Sequence, residues 1–149
     1  MDWTEVKNQE DIEALLTRYG GFHDSCIVSL SYKSGAYVGE DLDMGLGEAH
    51  DRELIIVFQR QWRPVGLELR FTGVRRLHLV GWEDNYFCEI LDCHLAFHQN
   101  LLPGEPVETI VWADTDSFDP REIPQIDDLE EPANTYIIAN TLKWRIVDR

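Results

Sequence analysis

The sequence predicts an α+β domain: a mainly antiparallel, twisted β-sheet with one N-terminal amphipathic helix packed on it. Three observations carry this. Apolar residues recur at helical spacing only near the N-terminus, and after residue 25 the pattern changes to the two-residue period of strands. The runs are joined by short connections rich in glycine, proline, asparagine and aspartate, which favour antiparallel neighbours over crossover helices. A chain of 149 residues, 44% hydrophobic with five tryptophans, is the size of one domain, residues 1–149, with a sizeable core.

The helix is signalled at both ends. Asn8 is a good N-cap, Glu10 and Asp11 place negative charge in the first turn, and Gly20 supplies the stop. Between them Ile12, Leu15, Leu16 and Tyr19 form one apolar stripe. In "SCIVSLSYK" the alternation puts Cys26, Val28, Leu30 and Tyr32 on one face and Ile27, Ser29, Ser31 and Lys33 on the other. Gly35 to Asp51 holds four glycines and reads as a long loop or irregular hairpin. "ELIIVFQRQW", apolar on both sides, predicts a central strand that Pro64 ends. "VGLELRFTG" directs Leu67, Leu69 and Phe71 inward, and "VRRLHLVGW" predicts a further short strand. Tyr86 to His98 reads as one long strand or two shorter ones, and "PVETIVWAD" as the next. After an acidic loop with three prolines, "TYIIANTLKWRIV" closes the sheet, with Leu142, Trp144 and Ile146 on one face. There is no internal repeat and no low-complexity segment.

Charge is the sharpest global feature: 28 acidic against 13 basic side chains, a formal net charge of −15. Such a field repels phosphate backbones and anionic membrane surfaces, so neither nucleic acid nor membrane is an expected partner. It attracts a basic protein, although acidity also serves solubility alone. Ten acids against a single base, Arg121, lie between Glu105 and Glu131, whereas five arginines and only Glu68 lie between Arg60 and Arg76. The first run contains the expected partner surface: Asp116, Asp119, Glu122, Asp127, Asp128, Glu130 and Glu131, held to the sheet by Ile123, Ile126 and Leu129. The second is expected to form cross-strand ion pairs.

Three cysteines make no disulfide framework, and "MDWTEVKNQED" has neither the basic nor the apolar region of a signal peptide. With no 18-residue apolar run, the expectation is a cytoplasmic protein with reduced thiols.

Candidate sites are few. His23 and Asp24, with Ser25, follow the helix stop, where aspartate and serine ordinarily bond nearby backbone amides; a joint between helix and strand accounts for them. An active site there needs further histidines, or a base and an oxyanion hole for Ser25, and the sequence shows neither. "CEILDCHLAFHQ" groups the zinc-ligand types Cys88, Cys93, His94 and His98. On a regular strand Cys93 and His94 face opposite sides, and Cys88 and His98 lie about 30 Å apart, so convergence needs a turn. "DTDSFDPRE" fails as a calcium loop, because Phe118 and Asp119 stand where a ligand and a glycine belong. No metal and no cofactor are expected.

The joint "FHDS", the β-rich body and the ending "IIANTLKW" are similar to small acidic bacterial immunity proteins of polymorphic toxin systems. That resemblance implies a protein that neutralises a cognate toxin by binding it, often over its active site, without being an enzyme. It transfers no binding residue. The alternative is a small enzyme or metal-binding domain built on His23, Asp24, His94 and His98.

Overall fold

The computed structural model of the chain describes residues 2–81, 87–122 and 134–147. Strand β1 (Thr4–Val6) leads into helix α1 (Gln9–Arg18). Asn8 caps the helix as its side chain predicts: Oδ1 accepts from the Asp11 amide at 3.0 Å, and the Asp11 carboxylate accepts from the Lys7 amide at 2.8 Å. Ile12, Leu15 and Tyr19 are fully buried, so the apolar stripe is the packed face.

Eight further strands follow: β2 (Ser25–Lys33), β3 (Tyr37–Val38), β4 (Met44–Gly45), β5 (Glu53–Arg60), β6 (Gly66–His78), β7 (His94–Gln99), β8 (Glu108–Ala113) and β9 (Tyr136–Val147). The large sheet runs β2-β5-β6-β9-β8-β7, β1 also pairs β9, and every pairing is antiparallel. The class is α+β, and α1 is the one α-helix among the described residues. A bridge between Ser25, at the start of one terminal strand, and Ile90, just ahead of the other, brings the two ends of the sheet together. The sheet thereby wraps the helix. Ile12, Leu15, Tyr19 and Phe22 enter one core with Leu54, Ile56 and Phe58 of β5, Leu67, Leu69 and Phe71 of β6, Ile110 and Trp112 of β8, and Leu142 of β9. A smaller cluster of Val111, Ala113, Tyr136 and Ile138 lies on the other face of β8 and β9.

Strand β2 departs from the simple alternation. Its register against β5 shifts between Ile27 and Ser29, so Val28 is an extra residue and is 51% exposed. Beyond that bulge Leu30 and Tyr32 stand opposite the buried Ile56 and Leu54, whereas Cys26 stands opposite Gln59; they do not share one face. Similarly, "VGLELRFTG" and "VRRLHLVGW" are one strand, not two. Gly73, at φ +69°, makes a bulge in it: the Gly73 and Val74 amides both donate to the Arg52 carbonyl, and the pairing with β9 shifts between Val74 and Arg76. The strand expected over residues 86–98 begins only at His94, apart from the Ile90 bridge. Strand β1 was too short to carry a periodic signal.

Three arginines of residues 60–76 make contacts within the fold. Arg70 pairs with Glu53 at 2.8 Å across β5 and β6. Arg75 donates to the Pro103 carbonyl at 2.6 Å, and Arg60 to the Pro64 carbonyl at 2.8 Å. On the same outer face Arg145 of β9 pairs with Glu68 at 2.9 Å and lies 4.3 Å under the Trp3 ring. Cross-strand pairing and loop fastening thus account for three of the five, Arg60, Arg70 and Arg75, while Arg63 and Arg76 are exposed.

A side chain at Gly73 would meet the positive φ and place its Cβ 2.4 Å from Asn140 Nδ2 and 2.8 Å from Asn140 Cβ. Gly73→Ala is expected to lower unfolding stability by about 1–3 kcal/mol, measured by urea denaturation; an unchanged midpoint refutes the bulge's role.

Candidate functional site

Six residues, 19–24, separate α1 from β2, and four of them are left-handed: Gly20 (φ +59°), Gly21 (+63°), Phe22 (+66°) and Asp24 (+59°). For phenylalanine that conformation costs about 1–2 kcal/mol. The return is larger. The ring is fully buried, with centroids 5.4 Å from Tyr19, 5.1 Å from Phe58 and 5.7 Å from Trp112. Burying such a ring contributes about 1.5–3 kcal/mol, and each aromatic pair adds about 0.5–1.5 kcal/mol. Ser25, also buried, donates its hydroxyl to the Phe22 carbonyl at 2.6 Å and so ties off the bend.

Asp24 is held on both sides. Its amide donates to the Ile90 carbonyl at 2.9 Å, and its carbonyl accepts from the Gln61 amide at 3.2 Å. Its carboxylate lies 3.0 Å from His23 Nδ1, and the His23 ring stacks on Trp62 at 6.2 Å. Beside them runs a groove of about 450 Å³, lined in part by Asp24, Cys26, Arg60, Cys88 and Glu89. Arg60 forms its buried end: the guanidinium lies 4.6 Å over Tyr19 and 5.6 Å over Trp62. A hydrogen bond with Asp24, together with partial desolvation and the Asp24 charge, holds the Glu89 carboxyl above the usual carboxylate range. Glu89 had no local signal in the sequence. It reaches Asp24 only because the Ser25–Ile90 bridge lays its segment along β2.

The chemistry available in this groove is limited. The Ser25 hydroxyl is engaged with a backbone oxygen. Burial, with Cys88 nearby, pushes the Cys26 thiol up and away from its nucleophilic form. The strained turn, the buried Phe22 and the doubly bonded Asp24 backbone form a joint.

The other sequence candidates lie elsewhere. Cys88 lines the groove, while Cys93 packs against the main core, where burial pushes its thiol up to about 12. His94 and His98, neither of which lines the groove, meet each other: their Nε2 atoms are 2.9 Å apart and their rings are stacked at 5.2 Å. The two rings lean together along the strand. Cys88, Cys93, His94 and His98 do not gather as a set. Among the described residues no group of three or more histidine, cysteine or acidic side chains is placed to hold a metal ion. Of the acidic run, Asp116, Asp119 and Glu122 are exposed. Asp119 Oδ1 accepts from the Arg121 amide at 2.9 Å, and the Asp116 amide donates to Asp92 at 2.9 Å. Asp127, Asp128, Glu130 and Glu131, with the anchors Ile123, Ile126 and Leu129, lie outside the described residues.

Between β2 and β5 the stretch read as a long loop or irregular hairpin is an irregular hairpin, but its exposed apolar side chains carried no signal in the sequence. Strands β3 and β4 pair as an irregular hairpin, and Tyr37, Val38, Leu42, Met44 and Leu46 stand 57–84% exposed on it. The arm is built: Gly39 and Asp43 bond through the backbone, and Glu48 and Asp51 cap the short turn that follows. Residues 34–51 carry five acids and neither lysine nor arginine.

No protein-family model matches the chain, and neither a curated protein nor a solved structure matches it.

Two outcomes are expected. Asp24→Ala should cost about 1–2 kcal/mol, because alanine tolerates the left-handed conformation poorly, whereas Asp24→Asn should cost well under half of that. Equal losses in the two variants, read from denaturation midpoints, would argue against the backbone role. With a thiol reagent under native conditions, exposed Cys88 should react first. Cys93, with roughly a thousandfold less thiolate than an ordinary cysteine, should react only on unfolding.

Proposed function

We propose that the protein is a non-enzymatic, cytoplasmic binding protein that neutralises a basic partner, in the manner of immunity-type inhibitors of polymorphic toxin systems. The observation that carries this reading is the β3–β4 arm. Five large apolar side chains on a built hairpin stand in water at a free-energy cost, with nothing among the described residues to cover them, and such patches mark protein contacts. Their acidic setting selects the partner's sign: a cationic surface gains from Glu40, Asp41, Asp43 and Glu48, while an anionic one is repelled. The run holding Asp116, Asp119, Glu122, Asp127, Asp128, Glu130 and Glu131 adds long-range attraction, which acts on the encounter rate within a Debye length of about 8 Å. Three free cysteines fit a reducing compartment. Among the described residues no helix is long and apolar enough to cross a membrane.

The groove at Asp24 favours this reading over the enzymatic one. An enzyme built on His23, Asp24, His94 and His98 needs them in one cleft, and His94 and His98 do not line that groove.

The test first asks whether the gene immediately upstream encodes a basic toxin domain, and uses that domain as the candidate partner. Leu42→Ser with Met44→Ser should leave stability unchanged and weaken affinity by at least about thirtyfold, through faster dissociation, as loss of a hot spot does. Neutralising Asp127, Asp128, Glu130 and Glu131 together should slow association and flatten its salt dependence. If neither variant changes the kinetics, or no basic partner binds at micromolar concentration, the reading fails.

A further inference from the structure

The His94–His98 pair has a geometry that a strand does not supply by default. Residues four apart on a strand are separated by about 13 Å at ~3.3 Å per residue, so two imidazoles touch only if both lean along the strand toward each other. They do, with Nε2 atoms 2.9 Å apart and ring planes 30° from parallel. Phe118 packs on His94 at 6.2 Å and on Tyr136 at 5.0 Å, which walls the pair on one side.

The geometry points to a two-nitrogen chelate for a divalent first-row transition cation, copper(II) or nickel(II), held by His94 Nε2 and His98 Nε2. Two nitrogens each about 2.0–2.1 Å from one ion stand about 2.9 Å apart when they occupy cis positions at 90°, and about 3.3–3.4 Å apart at a tetrahedral angle. The observed 2.9 Å matches the square-planar or octahedral bite, which copper(II) and nickel(II) favour over zinc. Without metal the same two atoms share one proton, one ring donating and the other accepting; on binding, the donating ring moves its proton to Nδ1 and both rings turn their Nε2 lone pairs toward a cation that lies beside the line between the nitrogens. Both rings are held below the usual histidine range: His94 by burial and then His98, His98 by burial and then Arg121. Neutral imidazole is the form that binds metal. Asp119, whose charge acts against those shifts on both rings, supplies a compensating anion beside the dication. The remaining coordination positions go to water or to a group from a bound partner, since no third histidine, cysteine or acidic ligand is in place among the described residues.

The experiment titrates the metal-free full chain with copper(II) and, separately, nickel(II), following visible absorption and the thermal midpoint. One equivalent of copper should bind, raise the midpoint by linkage, and broaden the His94 and His98 ring resonances before those of His23, His50 and His78. His94→Gln and His98→Gln keep hydrogen-bonding capacity and should each weaken binding by at least about tenfold, whereas His50→Gln should not. Failure of the unmodified chain to bind, or broadening centred on another histidine, overturns the proposal even if a variant folds poorly. Undiminished affinity in both glutamine variants overturns it as well.

Discussion

The fold depends on a left-handed joint. A right-handed helix and the strand after it cannot both pack on the same core unless the chain reverses within a few residues. Here the reversal is made by Gly20, Gly21, Phe22 and Asp24 at positive φ. Glycine permits the first half at little cost. Phenylalanine does not, and its presence shows that the turn is driven by what Phe22 reaches, the shared contact of Tyr19, Phe58 and Trp112. The same reversal points the Asp24 backbone at Ile90 and Gln61. One short segment therefore seats the helix, starts the sheet and closes it.

Charge is sorted by the fold as well as by composition. Arg60 and Arg75 bond the carbonyls of turns, Arg52 bonds that of Val74 at 2.9 Å, and Arg70 and Arg145 pair with Glu53 and Glu68. Guanidinium suits this work because its donors fork toward several acceptors at once. The consequence is that much of the positive charge serves internal contacts. The exposed acids of the hairpin and of the 105–122 stretch are left to set the sign of the outer field.

What was legible in the sequence was what local chemistry decides. Asn8, the stripe of Ile12, Leu15 and Tyr19, and Gly20 defined the helix; Leu67, Leu69 and Phe71, and Leu142 with Ile146, gave the inward faces of two strands. What was not legible depends on pairing between distant segments. The bulge at Val28 comes from the register against β5, and the one at Gly73 from the Arg52 carbonyl. Glu89 joined Asp24 through a bridge spanning 65 residues of chain, from Ser25 to Ile90. The His94–His98 contact is a matter of rotamers, which spacing does not encode. Five apolar side chains between Gly35 and Asp51 left no periodic trace, because they stand largely exposed and no buried face among the described residues imposes one.

Strand β9 pairs along one edge with β6 and along the other with β8 and β1, so it lies at the middle of the sheet while coming late in the chain. During synthesis at roughly 5–20 residues per second, β6, β8 and β1 wait some seconds with apolar edges unmatched until residues 136–147 emerge. The meander of β2, β5 and β6 can assemble earlier, from neighbouring hairpins. Completion of the sheet is thus a late, nonlocal event, and the half-built chain, with its strand edges open, is the species in most need of a chaperone.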